Sequence, residues 1–269
     1  MKSPLKMLNA WIDHRRLHNR CNEVEWRLSA RLEQTITLTP MDSGGGADRV
    51  FLGQTNVGLP QPVCCVRMTC PWRRVRPSEP GLPRITLRPV QRLLNEEAAY
   101  RTLSPIGLSP KVITGDQFFL ATYHVPWPRL ADVLRDQPER IWSILPALLH
   151  SIAEMHSVGV SHMDLNCGNV LVSSDLNQVM FIDFEYSPRS SFSFFDQQRF
   201  DFLRMAHGLL KRRRGLEAIT QDPNRFAQLV ASHAPESGDG LPSELDPKWF
   251  HRVTELPFVN EILQAAFGY

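Results

Sequence analysis

Apolar and polar positions alternate along this chain with two periods, and the switches between them outline its organisation. Leu8, Trp11, Ile12 and Leu17 recur among polar neighbours, which predicts a helix over 1–30. Thr35 to Thr39 alternates as a strand does, within the stretch Arg31 to Pro40. A glycine-rich turn, Met41 to Ala47, separates it from two further strand candidates, Val50 to Leu52 and Val63 to Val66. A connection rich in Pro and Arg runs from Pro71 to Pro89. Helical spacing returns over Gln91 to Leu103, and a strand follows at Phe118 to Val125, ending at Pro126 and Pro128. Helices are predicted at Leu130 to Arg135 and Glu139 to His156, with Pro146 marking a kink or a break. Asn169 to Val172 and Gln178 to Ile182 read as a hairpin closed by the turn formers Ser173 to Asn177. The helical pattern resumes near Phe195, and no internal repeat is visible. This order predicts an α+β chain in two lobes. A small sheet lobe with one helix and an N-terminal helical extension covers 1–125; a larger helical lobe covers 126–269, with the hinge at Pro126 to Pro128.

The hairpin sits between residues that carry chemistry. Asp164 precedes Asn169 by five positions, and Asp183 follows Asn169 by fourteen. The pattern around them has the spacing of a kinase-like catalytic loop, H-R-D-L-x-x-x-N, followed by a metal-binding Asp. Phosphoryl transfer asks little reactive chemistry of a protein but strict placement. A carboxylate accepts the proton of the attacking hydroxyl; an amide oxygen and a second carboxylate hold magnesium against the ATP phosphates. A hairpin returns the chain to its starting end, so Asp183 lands near Asn169. Singly, each of these residues is an ordinary turn former. Jointly with His162, Leu165 and the apolar strand before Asp183, they make Asp164 the candidate base and Asn169 and Asp183 the candidate metal ligands. His162 completes the catalytic set, with the expected task of holding the loop. Asp201, on the next helix, is expected to bond the backbone of this loop or to serve as an acid in a first helical turn.

Nucleotide-binding parts are weaker in the first lobe. Ser43 to Val50 is the one glycine-rich turn between early strands, and Gly45 and Gly46 are its candidates for covering phosphates. Against G-x-G-x-x-G-x-V, Ser43 replaces the first Gly and Asp48 the third, and a plain hairpin turn explains the same residues. No Lys occurs between Lys6 and Lys111. Arg67, at the end of the Val63 strand, takes the place of the phosphate-gripping Lys; the alternative is a solvated strand end. Its partner is expected among Glu96 and Glu97, which point about 100° apart on a helix; Glu96 is favoured.

Composition narrows the setting. The 269 residues have a net charge of +2 and 42% apolar content, which fits a globular protein. No apolar run approaches the roughly 20 residues that span a bilayer, and residues 1–9 lack a signal-peptide core, so a cytoplasmic location is expected. Cys21, Cys64, Cys65, Cys70 and Cys167 form no paired C-x-x-C motif and read as reduced thiols. Arg outnumbers Lys 25 to five, in clusters at Arg73 to Arg76 and Lys211 to Arg214. Guanidinium suits phosphate, carboxylate or an anionic membrane face; Arg-favouring codons explain the same bias. No nucleic-acid module is present.

The residues H-x-D-L-N-x-x-N-V-L from His162 to Leu171, with Phe181 to Glu185 and Arg199 to Lys211, resemble the lipopolysaccharide-core kinases of the Kdo and heptose kinase type. Val66 to Arg74 is similar to that family's strand ending in V-L-R and further arginines, and Glu96 to Pro110 to its E-x-x-x-L…G-L-P segment. The resemblance implies a protein-kinase-like fold, ATP and magnesium as cofactors, and a sugar or glycolipid acceptor met at a membrane face. Met163 in place of the loop Arg, Asn166 in place of the Ser/Thr-kinase Lys, and the short reach from Asp183 to Phe195, with little room for an activation loop, set the chain apart from a regulated protein kinase. Two alternatives stand beside this: a small-molecule kinase of aminoglycoside type, and a pseudokinase acting as a nucleotide-binding scaffold.

Overall fold

A computed structural model describes residues 4–41, 48–55, 61–73, 81–211, 215–235 and 247–268, with side chains of the first helix from Arg15 onward. Along the chain run α1 (Pro4–Leu32), β1 (Ile36–Pro40), β2 (Asp48–Thr55), β3 (Gln61–Thr69), β4 (Arg84–Thr86), α2 (Pro89–Leu103), β5 (Val112–Gly115) and β6 (Phe119–Tyr123). There follow α3 (Leu130–Asp136), α4 (Ile141–Ser157), β7 (Val170–Val172), β8 (Val179–Phe181), β9 (Tyr186–Pro188), α5 (Phe194–Leu209), α6 (Leu216–Ile219), α7 (Pro223–Ala231), α8 (His251–Thr254) and α9 (Pro257–Phe267). The fold is the α+β, kinase-like one expected.

Contacts divide the chain into two compact units, one of residues 1–75, 88–97 and 111–125, the other of 76–87, 98–110 and 126–269. A single cut at 125/126 therefore misplaces two segments. Residues 76–87 and 98–110 cluster with the second unit, because β4 pairs with β9 and Phe181 N–H donates to Leu108 O.

The first unit is an antiparallel five-stranded sheet in the order β1-β2-β3-β6-β5. Strand β3 sends Cys64, Val66 and Met68 to one face, where Leu17, Val24 and Leu28 of α1 bury their apolar stripe. Arg67, between Val66 and Met68, is thereby sent to the opposite face. Gly53 permits β2 and β3 to close at this point: a Cβ there would lie 2.2 Å from the Cys64 sulfur. Sequence patterning missed β5, which is only four residues long.

In the second unit, α4 is one helix through Pro146, neither broken nor divided. Pro146 is exposed, so the Trp142 carbonyl that loses its usual partner is on the side where water can replace it. Ile144, Leu145, Leu148, Leu149, Ile152 and Met155 of this helix are buried; truncating one such Leu to Ala costs about 2–5 kcal/mol. The α5 start is fixed by a capping box between Ser193 and Asp196. Among the described residues no helix is long and apolar enough to cross a membrane.

Candidate active site

The loop from Ser161 to Asn169 is built around one buried carboxylate. Asp201, fully buried in the middle of α5, accepts from His162 N–H at 2.7 Å with one oxygen and from Met163 N–H at 2.8 Å with the other. His156 of α4 approaches the same carboxylate at 3.2 Å. Asp201 is the eighth residue of α5, so the loop-bonding role holds and the first-turn alternative does not. Its two bonds sustain a left-handed backbone at Met163, φ 62°, a conformation that costs a non-glycine residue of order 1–3 kcal/mol. Met163 then turns its side chain into the core.

His162 is fully buried. Its Nδ1 accepts from Asp164 N–H at 3.3 Å, so Nε2 carries the proton that meets Ile182 O at 2.9 Å. Its ring lies 4.5 Å from that of Phe184. Both ring nitrogens bond to backbone, which fits the loop-holding task expected of His162.

From Asp164 the chain is braced locally. Asn166 and Asn169 both donate to the Asp164 carbonyl, at 2.9 and 3.1 Å, and Asn166 caps a 3-10 turn through Gly168 N–H. Strands β7 and β8 pair in the predicted hairpin, Val170 opposite Phe181. Ile182 N–H then donates to Asn169 O at 3.0 Å, which brings Asp183 next to Asn169 in space. Asp183 is also left-handed, φ 74°, and its N–H donates to the Tyr100 hydroxyl at 3.1 Å. Tyr100 in turn packs edge-on against Phe184.

Two groups at Asp164 were not legible as site residues in the sequence. Arg84 of β4 donates to Met163 O at 2.8 Å and meets Asp164 Oδ1 through the same nitrogen. Arg204 of α5 reaches Asp164 Oδ1 at 3.4 Å while donating to Trp249 O at 2.8 Å. Arg84 was hidden in the Pro-rich connection; the β-branched Ile85 and Thr86 beside it are the one local sign of a strand. Its guanidinium lies 3.8 Å from the Tyr186 ring centre. Burial, and then the neighbouring carboxylates, push the Tyr186 phenol up to about 12 against the lowering pull of Arg84.

In the first unit, Arg67 Nε stands 3.1 Å from the Glu96 carboxylate, both largely buried. Arg67 also lies 3.8 Å from Asp48, which pairs with the buried Arg92 at 2.7 Å. Arg92 and Glu96 are one helical turn apart on α2, so both reach the Arg67 face of the sheet. Asp48 thus begins β2 as half of a buried ion pair. Gly45 and Gly46 lie outside the described residues, as do Arg74 to Arg76 and Arg212 to Arg214.

A magnesium site fits the donors present. Asn169 spends its amide nitrogen on the Asp164 carbonyl, which leaves the amide oxygen for a hard cation, and Asp183 adds a carboxylate. Among the described residues no three His, Cys, Asp or Glu gather to hold a metal. An Asn–Asp pair completed by phosphate oxygens and water is the set magnesium favours in nucleotide sites.

A kinase-like α+β fold with this loop and hairpin defines a class of phosphotransferase. Residues 125–228 match the sequence model of the lipopolysaccharide kinase (Kdo/WaaP) family. The match supports the resemblance read from the sequence, and with it a phosphotransferase with a hydroxyl acceptor. The matched segment holds Asp164, Asn169, Asp183 and Arg204 but neither Arg67, Arg84 nor Glu96. No curated protein matches the chain.

Proposed function

We propose that this protein transfers the γ-phosphoryl group of ATP, with magnesium, to a sugar hydroxyl of lipopolysaccharide or a related surface glycolipid. The observation that carries this reading is the convergence of Asp164, Asn169 and Asp183 on a loop and hairpin held by buried backbone bonds. Bound through Asn169 and Asp183, magnesium would neutralise charge on the phosphates during transfer. Asp164 is the base. Both guanidinium contacts fall on Oδ1, so the carboxylate is oriented through one oxygen and Oδ2 meets the acceptor hydroxyl. Arg67, steered by Glu96, grips nucleotide phosphates in place of the usual Lys, with Gly45 and Gly46 covering them.

The acceptor is met in the cytoplasm at an anionic membrane face, through reversible contacts of the Arg-rich segments 73–76 and 211–214. The test is incubation with labelled ATP and fractionated cell-envelope glycolipid. Label should enter the glycolipid with magnesium and stay out of it in Asp183→Ala. Label in soluble sugars alone would instead indicate a small-molecule kinase, and no label in any fraction would indicate a scaffold.

A further inference from the structure

Two residues after Asp164 the loop carries no cation. Asn166 stands there, and its side chain is committed to the loop: the nitrogen donates to Asp164 O and the oxygen accepts from Gly168 N–H, both at 2.9 Å. Phosphoryl transfer gains from a positive group at the oxygens over which charge spreads, so another element has to supply it. Arg84 of β4 has the required form. Its strand is pinned by pairing with β9 and by Arg189 N–H donating to Pro83 O at 2.8 Å. Its Nη1 donates to Met163 O at 2.8 Å and meets Asp164 Oδ1, and its guanidinium lies 3.8 Å from the Tyr186 ring centre. Both polar contacts use one nitrogen. Nε is buried without a hydrogen-bond partner, and Nη2 makes no hydrogen bond among the described residues. The planar fork can therefore hold the carboxylate with one prong and offer the other to an anionic oxygen. Arg204, the second cation on Asp164, differs: one terminal nitrogen goes to Trp249 O and the other to Asp164 Oδ1. What Arg84 holds in reserve is hydrogen-bonding capacity, not surplus charge.

We propose that Arg84 is a catalytic residue that grips the γ-phosphoryl group through Nη2 while its Nη1 orients Asp164. The proposal rests on the reading of Asp164 as the base. In the step, the acceptor oxygen bonds to the γ-phosphorus as the bond from that phosphorus to the β,γ-bridging oxygen breaks. The acceptor proton passes to Asp164 Oδ2, and the electron pair of the broken bond leaves on ADP. The acceptor oxygen then lies about 3 Å from both Oδ2 and the phosphorus. A guanidinium already on Oδ1 has its second prong within reach of a γ-phosphoryl oxygen, the place where an arginine stabilises this transition state. Arg84 lies outside the segment that matches the kinase family, so family membership alone assigns it no task.

The test is calorimetric titration of the full chain, in magnesium and without acceptor, with ADP and with the non-hydrolysable ATP analogue AMP-PNP. The parent should prefer AMP-PNP, and the preference measures the hold on the γ-phosphoryl group. Arg84→Ala should lose about ten-fold of it, the scale of one charge-assisted hydrogen bond, and keep its affinity for ADP, which also reports an intact fold. Should Arg84→Ala fail to bind ADP, Arg84→Gln, whose amide can still donate to Met163 O, takes its place. The decisive comparison is made in Asp164→Asn, where the carboxylate that Arg84 orients is gone. Adding Arg84→Ala there should still reduce the preference. No further change in that background would mean that Arg84 acts through Asp164 alone, and would overturn the proposal. So would a parent with equal affinity for the two nucleotides, or an Arg84→Ala protein with the preference of the parent. Glycolipid labelling is read separately: labelling with a preference independent of Arg84 sinks this inference alone, and a preference dependent on Arg84 with no labelling sinks only the proposed acceptor.

Discussion

The two candidate centres of this chain are held in place by different physics. Around Asp164 the geometry is backbone geometry. A buried carboxylate takes two main-chain N–H groups, a histidine ring takes a third and donates to a main-chain carbonyl, and a tyrosine hydroxyl takes a fourth N–H. Around Arg67 the geometry is a ring of opposed side-chain charges, Arg67, Asp48, Arg92 and Glu96, drawn from two strands and a helix. The first kind fixes where the chain goes. The second fixes only where side chains point, and its members can be exchanged for other charge pairs without moving the backbone.

Substituting the proposed base exposes the difference at its largest. Asp164→Asn keeps the Asp164 main-chain bonds to Asn166, Asn169 and His162, so the loop should stay folded. Transfer to acceptor should fall by roughly 10² to 10⁴, the range for loss of a general base, while nucleotide affinity is retained. Near-normal turnover would move the base elsewhere. Asp201→Ala should do the converse. It leaves two buried N–H groups unsatisfied, at about 1–3 kcal/mol each, and releases a strained Met163. Denaturant midpoints should drop accordingly, with activity lost through the loop. A stable, active Asp201→Ala protein would mean that the loop needs no central carboxylate.

The same contrast explains how much the sequence disclosed. Asp164, Asn169 and Asp183 were legible because backbone-held sites need given residue types at given spacings along one stretch of chain. The hairpin, α1, β2, β3 and α2 were legible for a related reason, that apolar periodicity is local. Arg84 and Arg204 were not, because each reaches Asp164 from an element remote in sequence, and an Arg among 25 carries no label. Asp48 resembled a degenerate glycine-loop position until its partner Arg92 was known. Strands β4, β5 and β9 are three or four residues long, too short for alternation to register. Pro146 signalled a kink or a break, and burial of the opposite helix face kept α4 from dividing there.

Breaking the charge ring tests the second half of the comparison. Arg92→Ala leaves Asp48 buried without its nearest cation and should cost about 3–5 kcal/mol, whereas replacing both Asp48 and Arg92 by apolar residues of similar size should recover most of that loss. Arg67→Lys should keep part of the nucleotide affinity and Arg67→Ala less, since an ammonium retains charge but not the guanidinium fork. Equal nucleotide affinity in both variants and the parent would make Arg67 a partner of Glu96 and nothing more. A double Asp48–Arg92 replacement as unstable as the single one would show that the ring does more than balance charge.

The smallest effect sharpens the comparison within the second unit, where charge and burial meet at His207. Burial, followed by the cations Arg204 and Arg252, then His251 and Lys211, lowers this imidazole to about 3 from its ordinary 6.5. Between those two values the unfolded chain binds a proton that the folded chain refuses. Stability from this group is therefore whole above about pH 6.5 and declines as pH falls toward 3. His207→Gln cannot take up that proton. Compared at pH 7.5 and pH 5 by urea unfolding, the parent should lose more stability on acidification than His207→Gln does. Arg252 donates to His207 Nε2, and the variant can still accept that hydrogen bond through its amide oxygen, so the difference in slope isolates the proton and not the lost contact. Equal slopes would mean that His207 titrates normally in the folded protein. Its ring would then carry charge beside Arg204 and Arg252 below pH 6.5.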